Sequence, residues 1–260
     1  MLHWIDAHNH LHDHRFSSPE ELIGPMKQTG ISRCITNATC EEDWDAVENL
    51  SRTHPDFVLP ALGIHPWKAH LCKAGWENRL KQRLENNPQA GIGECGLDGW
   101  ISHPPLETQQ SVFLAHLRLA RELQRPLTIH CLKAWQPLFD AFTQEPPPEK
   151  FLMHSFGGSL EIACRLLPLG TYFSFSGYFL HPRKAKVLDV FRELPKDRIL
   201  LETDAPDMLP PPDFITHPLE ESLNHPANLP AIAQGLAGHL NLSLEELSEL
   251  TLENSRRFHA

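Results

Sequence analysis

Short apolar segments alternate with longer amphipathic segments along the whole chain. The apolar segments end in polar residues, as expected of buried strands in a parallel sheet. The predicted strands are residues 4–11, 33–39, 58–64, 89–98, 126–133, 151–157, 172–177 and 199–204. The predicted helices between them are residues 19–29, 41–53, 76–86, 107–124, 134–143, 160–167 and 182–194. This alternation indicates parallel strands that are joined by crossover helices.

Three segments carry the signals of a helix start. Residues 18–21 read Ser-Pro-Glu-Glu, which is a capping box with proline at the first helical position. Residues 39–42, Thr-Cys-Glu-Glu, repeat this pattern after the second predicted strand. Residues 243–246, Ser-Leu-Glu-Glu, open a last helix. The helix assignment therefore rests on capping chemistry as well as on periodicity.

The number of units favours one fold class. Eight strand-helix units in 260 residues average about 32 residues each, which is close to one βαβ unit and to the usual length of a (β/α)8 barrel. We therefore predict a single domain over residues 1–260 with the α/β architecture of a (β/α)8 TIM barrel; a doubly wound open sheet is the alternative. The proline-rich segment 206–218 is predicted to be an extended loop at the active face.

Composition narrows the class of protein and its compartment. Hydrophobic residues make up 41% of the chain and charged residues 22%, which excludes an intrinsically disordered chain, collagen and a disulfide miniprotein. The six cysteines are scattered without a Cys-x-x-Cys pair, which is typical of reduced thiols in the cytoplasm. No apolar stretch is long enough to span a membrane. We expect a cytoplasmic protein with no membrane contact and no obligate protein partner.

The net charge restricts how nucleic acid can bind. At −10, the surface as a whole should repel a polyanion, so any DNA must be held locally. This charge predicts weak affinity for long duplexes and a preference for short or single-stranded ends.

Two histidines lie close together in the first predicted strand. His8 and His10 point to the same face because strand side chains alternate, and Asp6 lies below them. Two imidazoles in this arrangement can bind one cation. A solvated polar pair at a strand end is the alternative, because His-x-His alone is a weak motif.

Further residues of the metal-ligand type lie near the ends of other predicted strands. They are Glu94, His130, His154 and Asp204. Each alone could be a hydrogen-bonded core group. Jointly with His8 and His10 they lie on one rim, where barrel enzymes place their active sites. Four imidazoles and two carboxylates exceed the needs of one ion, so we predict a binuclear site at the C-terminal rim with a bridging carboxylate. The mixed nitrogen and oxygen donors permit Zn²⁺, Mn²⁺ or Mg²⁺.

Six ordered motifs carry a resemblance to a known family. They are residues 5–11 (IDAHNHL), 63–66 (GIHP), 91–98 (GIGECGLD), 129–130 (IH), 154–158 (HSFGG) and 201–206 (LETDAP). Together they resemble the TatD family of metal-dependent hydrolases and deoxyribonucleases, from about residue 3 to residue 258. The motifs are specific for the family and much less so for the substrate.

The resemblance implies a role for each of these residues. One metal ion would be held by His8, His10 and Asp204, and the other by His130 and His154. Glu94 would bridge both ions. Asp204 would also take the proton of the attacking water, which must lie within hydrogen-bond reach. His65 and Lys133 correspond to the phosphate contacts of the family.

This sequence departs from the family pattern near the substrate. The usual arginine three residues after His130 is Lys133, which offers a point charge instead of a planar fork. The aromatic that usually follows Gly-Leu-Asp is replaced by Gly99 and Trp100. The usual Arg-Asn-Glu-Pro is Leu-Asn-His-Pro at residues 223–226. These changes leave the predicted metal ligands intact and weaken the assignment to nucleic acid.

Two more side chains have open interpretations. Glu202 shares a strand face with Asp204 and either orients a ligand histidine or forms a salt bridge lower in the barrel. Trp67 follows His65 and Pro66 and either stacks a base or, as the pattern favours, covers the core as a rim aromatic.

Three functions remain open at this point. The first is a metal-dependent phosphodiesterase, a deoxyribonuclease that digests single-stranded or short DNA 3′ to 5′ with a metal-activated water. The second is a hydrolase of ester, amide or aminoacyl linkages, because the fold does not fix the substrate. The third is a catalytically silent metal-binding protein. The presence of Glu94 and Asp204 argues against the third, because a structural ion needs no bridge and no open position.

Overall fold

Eight parallel strands form a barrel in the computed structural model, which describes residues 2–259. The strands are β1 (Trp4–Asn9), β2 (Ile31–Asn37), β3 (Val58–Leu62), β4 (Gly91–Asp98), β5 (Leu127–Leu132), β6 (Phe151–Met153), β7 (Thr171–Ser176) and β8 (Ile199–Glu202). They pair in chain order. The Asp204 N–H donates to the His8 carbonyl (3.0 Å) and the His10 N–H to the Ala205 carbonyl (2.8 Å), so the chain after β8 closes on β1. The prediction of a (β/α)8 barrel is confirmed.

Helices surround the barrel. They are α1 (Pro19–Gln28), α2 (Trp44–Thr53), α3 (Trp76–Asn86), α4 (Leu106–Glu122), α5 (Trp135–Gln144), α6 (Leu160–Leu166), α7 (Ala185–Glu193), α8 (Leu229–Leu240) and α9 (Leu244–His259). The predicted helices omit α8, which follows the long irregular segment after β8 and has Asn228 at its N-cap without a side-chain capping hydrogen bond. α9 is fastened to the barrel where Asn254 donates to the carbonyl of Ile199 (2.8 Å).

Two of the three predicted helix starts are confirmed. The Ser18 hydroxyl accepts from the Glu20 N–H (3.2 Å) at the start of α1. At α9, the Ser243 hydroxyl accepts from the Glu246 N–H (3.1 Å), and the Glu246 carboxylate accepts from the Ser243 N–H (2.7 Å). This is a complete capping box.

The predicted start of the second helix at residue 41 is wrong. Asp43 uses its carboxylate to accept the backbone N–H groups of Thr39 (2.9 Å) and Cys40 (3.2 Å). These bonds stabilise a turn over residues 39–43 and delay α2 until Trp44.

Most strands end before the predicted residue. β1, β6 and β8 stop at Asn9, Met153 and Glu202, so His10, His154 and Asp204 lie just past the ladder. The backbone turns there: φ is +41° at Ser155 and +52° at Asp204. Non-glycine residues in this region are strained, and such strain is concentrated at functional sites.

The segment between β8 and α8 is irregular, as predicted for residues 206–218. Short 3₁₀ turns occupy Pro212–Phe214 and Glu220–Ser222. The Asn224 side chain donates to the carbonyl of Thr203 (2.9 Å), which fastens the loop at the carboxyl end of β8. The loop therefore lies at the same face of the barrel as Asp204. Within residues 2–259, none of the helices combines the length and the hydropathy that crossing a lipid bilayer requires.

Candidate metal centre

Glu94 lies at the centre of the carboxyl face of the barrel and is 2% exposed. The pairing of β4 with β5 is irregular between Ile92 and Cys95, and such irregularities redirect a side chain. Gly93 has a φ of +147°, and a Cβ there would lie 2.8 Å from Cβ of Thr128. Only glycine fits, so the glycine before Glu94 allows β4 to approach β5 closely.

The two oxygens of Glu94 face two different sets of histidines. Oε2 lies 3.3 Å from Nε2 of His8 and 3.2 Å from Nε2 of His10. Oε1 faces the other set, Nε2 of His65 (3.3 Å), Nδ1 of His130 (3.1 Å) and Nε2 of His154 (2.7 Å). One carboxylate thus lies between two clusters of donor atoms.

Asp204 completes the first cluster. Its Oδ1 lies 3.3 Å from Nε2 of His8 and 3.6 Å from Nε2 of His10. Nδ1 of His10 is 2.7 Å from the carbonyl of Asn37, so Nδ1 carries a hydrogen and Nε2 is the nitrogen that faces the cluster. As predicted from strand alternation, the two imidazoles face each other, with their Nε2 atoms 3.2 Å apart.

Asp98 is a site residue that the sequence analysis missed. Its Oδ2 lies 3.1 Å from Nε2 of His130 and accepts a hydrogen bond from the indole of Trp67 (2.6 Å). The His130 hydrogen therefore belongs on Nε2, which leaves the Nδ1 lone pair for the cluster. Strand alternation could have found this residue, because Asp98 shares a face of β4 with Glu94.

Glu202 lies close to His154 but is not hydrogen-bonded to it. Nδ1 of His154 lies 3.7 Å from Oε1 of Glu202. Glu202 accepts from the Ser155 N–H (2.8 Å) and from the hydroxyls of Ser155 and Ser174. The carboxylate is held by these two serines beside the imidazole, so its hydrogen bonds go to Ser155 and Ser174 and it acts on His154 only through its charge.

The backbone next to His65 determines its tautomer. The N–H of Trp67 donates to Nδ1 of His65 (3.2 Å), so the hydrogen lies on Nε2. Burial lowers the pKa of His65, more than the charge of Glu94 raises it. The imidazole is therefore a neutral hydrogen-bond donor at Nε2, unlike the imidazoles of His10 and His130.

Lys133 lies apart from these donors. It follows β5 with a φ of +50°, and its ammonium lies 3.7 Å from the ring centroid of Trp100. Within residues 2–259, no ion pair joins Lys133 to the clustered side chains. Trp67 is half exposed at the rim, and its indole is engaged with Asp98, so it does more than cover the core.

The carboxylates and imidazoles change each other's protonation. Burial alone would raise the pKa of Glu94, but His154, His65 and His8 lower it well below its usual range. Burial would lower the pKa of His10, yet Asp204 and Glu94 raise it well above the usual value. The cluster thus holds ionised carboxylates at a buried position, where charges need a counter-ion.

The donor set fits divalent cations. Three groups have donor atoms that lie within 4.8 Å of one another: His8, His10 and Asp204; His8, Glu94 and His154; and His65, Glu94 and His130. Imidazole and carboxylate donors suit Zn²⁺ and Mn²⁺, and carboxylates also suit Mg²⁺. Within residues 2–259, the structure thus brings together six predicted ligands and His65.

The chain is similar to several known proteins over most of its length. It is 30% identical over 241 residues to the 3′-5′ ssDNA/RNA exonuclease TatD of Pantoea sp. (strain At-9b), which covers 92% of each chain. It is 33% identical over 211 residues to the metal-dependent hydrolase YjjV of Escherichia coli (strain K12), with 80% of this chain and 81% of YjjV covered.

Solved structures show the same likeness. The crystal structure of the TatD homologue YjjV superposes with a TM-score of 0.89 at 29% identity, over 98% of this chain and 97% of that one. A TatD family hydrolase from Entamoeba histolytica has the same fold, with a TM-score of 0.86 at 21% identity and 99% and 98% of the two chains covered. The model of the family described as TatD related DNase matches residues 5–260. Since that match takes in nearly the whole chain, the protein belongs to the TatD related DNase family of metal-dependent hydrolases.

Proposed function

We propose that the chain is one catalytic domain, a phosphodiesterase that removes nucleotides 3′ to 5′ from single-stranded or short DNA. The division of the Glu94 carboxylate between two clusters of donors carries the proposal. Two cations about 3.5–4 Å apart are the usual arrangement for displacement at phosphorus. The exonuclease activity named for the Pantoea relative supports the substrate class.

We assign two divalent ions, Mg²⁺, Mn²⁺ or Zn²⁺, to the two clusters. His8, His10 and Asp204 would hold one ion, His130 and His154 the other, and Glu94 would bridge them. When bound, such ions act as Lewis acids on phosphoryl oxygens and lower the pKa of water. Nε2 of His10 and Nδ1 of His130 would be the ligating nitrogens, because Asn37 and Asp98 accept the hydrogens of their other ring nitrogens.

Asp204 is the proposed general base. Burial raises its pKa, but the contacts with His10 and His8 and the charges of His8 and His154 together lower it below its usual value. The carboxylate is therefore ionised, the state in which it can accept a proton from the attacking water. The strained backbone at Asp204 places this acceptor beside the first cluster.

His65 and Lys133 are the proposed phosphate contacts. His65 presents a neutral Nε2–H beside Glu94, which can donate to a phosphoryl oxygen. Lys133 supplies positive charge from the rim, where the Trp100 ring supports its ammonium. The net charge of −10 supports short or single-stranded substrates, because a long duplex would meet repulsion outside this local site.

A second candidate is the hydrolysis of ester, amide or aminoacyl bonds. The observation that favours it is the Lys133 ammonium on Trp100. A single ammonium does not bind a phosphate in the bidentate manner of arginine. Phosphate should therefore bind less tightly at this rim than at one that carries the arginine of the family pattern.

Digestion of labelled oligonucleotides tests the proposal. With Mg²⁺ or Mn²⁺, we expect a single strand labelled at its 5′ end to give a ladder shortened from the 3′ end. Glu94→Gln should reduce the rate by at least about a hundredfold, because it removes one charge from both clusters. Glu85→Gln, an exposed carboxylate on α3, is the matched control. Equal rates for the wild type and Glu94→Gln, or turnover of acyl esters alone, would overturn the assignment.

A further inference from the structure

A cavity of about 730 Å³ opens at the amino-terminal end of the barrel, opposite the metal centre. Arg33 lies near the start of β2, Arg125 precedes β5, and Lys150 precedes β6, while His259 ends α9. At about 3.3 Å per strand residue, roughly 15 Å separates Arg125 from His130. The cavity is therefore distinct from the proposed active site.

Positive charge is concentrated in this cavity, which is lined by four arginine or lysine residues and one carboxylate, Glu149, although the chain carries a net charge of −10. Arg121, at its edge, is paired with Glu145 (2.7 Å). Arg33, Arg125 and Lys150 form no ion pair with a carboxylate among residues 2–259, although all three line the cavity. Cations gathered in a concave site raise the local concentration of anions.

Two residues that line this cavity have a buried polar atom without a partner among the described residues. These atoms are Nε of Arg125 and Nε2 of His259. Burial lowers the pKa of His259 to about 4, with smaller contributions from the charges of Arg33 and Lys150. Buried polar atoms normally have a partner, so the residues around this cavity retain unused hydrogen-bonding capacity.

We propose that this cavity binds a small organic phosphate, with the phosphate between Arg33, Arg125 and Lys150. Arginine and lysine are the usual side chains for this group. Leu59, Pro126 and Phe258 also line the cavity and provide an apolar wall for the organic part. The volume lies in the range of about 300–1,000 Å³ that is typical of small-molecule sites. The proposal does not depend on the hydrolytic activity.

Calorimetric titration of the metal-loaded protein tests the site with three probes: inorganic phosphate, ribose 5-phosphate and adenosine 5′-monophosphate. We expect saturable binding, tightest for the probes with an organic part. The double variant Arg33→Gln, Lys150→Gln should weaken binding at least tenfold, because two charge-assisted contacts are lost. Arg256→Gln, Lys186→Gln is the matched control, since both side chains are exposed and lie outside the cavity.

Glu94→Gln separates this site from the metal centre, where phosphate could also bind. Binding that persists in Glu94→Gln and is weakened by the Arg33 and Lys150 changes supports the cavity, whether or not DNA is cleaved. Binding that disappears in Glu94→Gln and is unchanged in the double variant overturns it. Absence of saturable binding by all three probes also overturns it.

Discussion

Three of the five imidazoles in the candidate metal centre have one ring nitrogen whose role is fixed by a neighbour, whereas Nδ1 of His8 and Nδ1 of His154 have no partner among the described residues. His10 gives its Nδ1 hydrogen to the carbonyl of Asn37, and His130 gives its Nε2 hydrogen to Asp98. His65 accepts at Nδ1 from the backbone of Trp67. These bonds leave Nε2 of His10, Nδ1 of His130 and the Nε2 hydrogen of His65 facing Glu94. The same residue type would thus provide two of the proposed metal ligands and one hydrogen-bond donor.

We predict that Asp98→Asn lowers metal affinity about 10- to 100-fold, because an amide holds the His130 hydrogen less strongly than a carboxylate does. Trp67→Phe should have a smaller effect in the same direction, since it removes only the indole bond to Asp98. A competitive Mn²⁺ titration measures both. Asp56→Asn, an exposed carboxylate between α2 and β3, is the control. An unchanged affinity in Asp98→Asn would show that His130 keeps its orientation without this bond.

Sequence could predict the clustered residues but not these orientations. Residue type and position near a strand end were enough to predict that six side chains would cluster: His8, His10, Glu94, His130, His154 and Asp204. The hydrogen bonds that assign their nitrogens join residues far apart in the chain, so no local pattern reveals them. Asp98 is the exception, since its alternation with Glu94 was visible.

At the element scale, glycines determine how β4 lies against its neighbours. Gly96 pairs with His130 across β4 and β5 and has a φ of +139°. A Cβ at Gly96 would lie 2.0 Å from the His130 carbonyl oxygen. Because the clash is with backbone, it can be relieved only by moving a strand that carries a predicted ligand.

We predict that Gly96→Ala destabilises the protein by about 3 kcal/mol or more, from backbone strain and overpacking together, and lowers metal content. Gly238→Ala on α8 is the matched control, because a Cβ there meets no atom within 4 Å. Alanine is favoured over glycine within a helix by about 0.5–1 kcal/mol. The midpoint of urea unfolding, measured in the presence of a chelator, should therefore fall for Gly96→Ala and rise for Gly238→Ala. Equal shifts would contradict this account of β4.

Periodicity located every strand of the barrel but placed most carboxyl ends too late. The polar residues after β1, β6 and β8 continue the apparent alternation, although the backbone has already turned. α2 shows the same limit at a helix start, because the Asp43 side chain bonds backward to Thr39 instead of forward into the helix. Competition between local and regular hydrogen bonds is not visible in the spacing of apolar residues.

At the scale of the whole molecule, His116 links an outer helix to the barrel. It is fully buried on α4. Its Nε2 accepts from the N–H of Ile64 (3.2 Å), and its Nδ1 donates to the carbonyl of Val112 (2.8 Å). The bond from Ile64 requires the neutral imidazole, whereas the bond to Val112 can persist when the ring is protonated. Burial lowers the pKa of His116 to about 4, and the bond to Val112 raises it only in part.

This histidine should make the stability of the barrel depend on pH. The unfolded chain protonates His116 near its ordinary pKa of about 6.5, whereas the folded protein does so near pH 4. Between these values the unfolded state binds more protons, so stability falls as pH falls, by up to about 3 kcal/mol. Burial raises the pKa of Asp6 to about 6 despite the hydrogen bonds it accepts from Asn9 and Thr203. The folded state therefore binds the additional proton at this carboxyl, so the contribution of Asp6 to stability falls as pH rises.

A difference between variants isolates the contribution of His116. In His116→Gln the amide can keep a donor and an acceptor but cannot be protonated, so its free energy of unfolding should change less between pH 6.5 and pH 4 than that of the wild type. His14→Gln, at a side chain that is 94% exposed, should follow the wild type. Urea unfolding at several pH values in chelator gives the three slopes. Parallel slopes for His116→Gln and the wild type would show that protonation of this buried imidazole does not cause the loss of stability in acid.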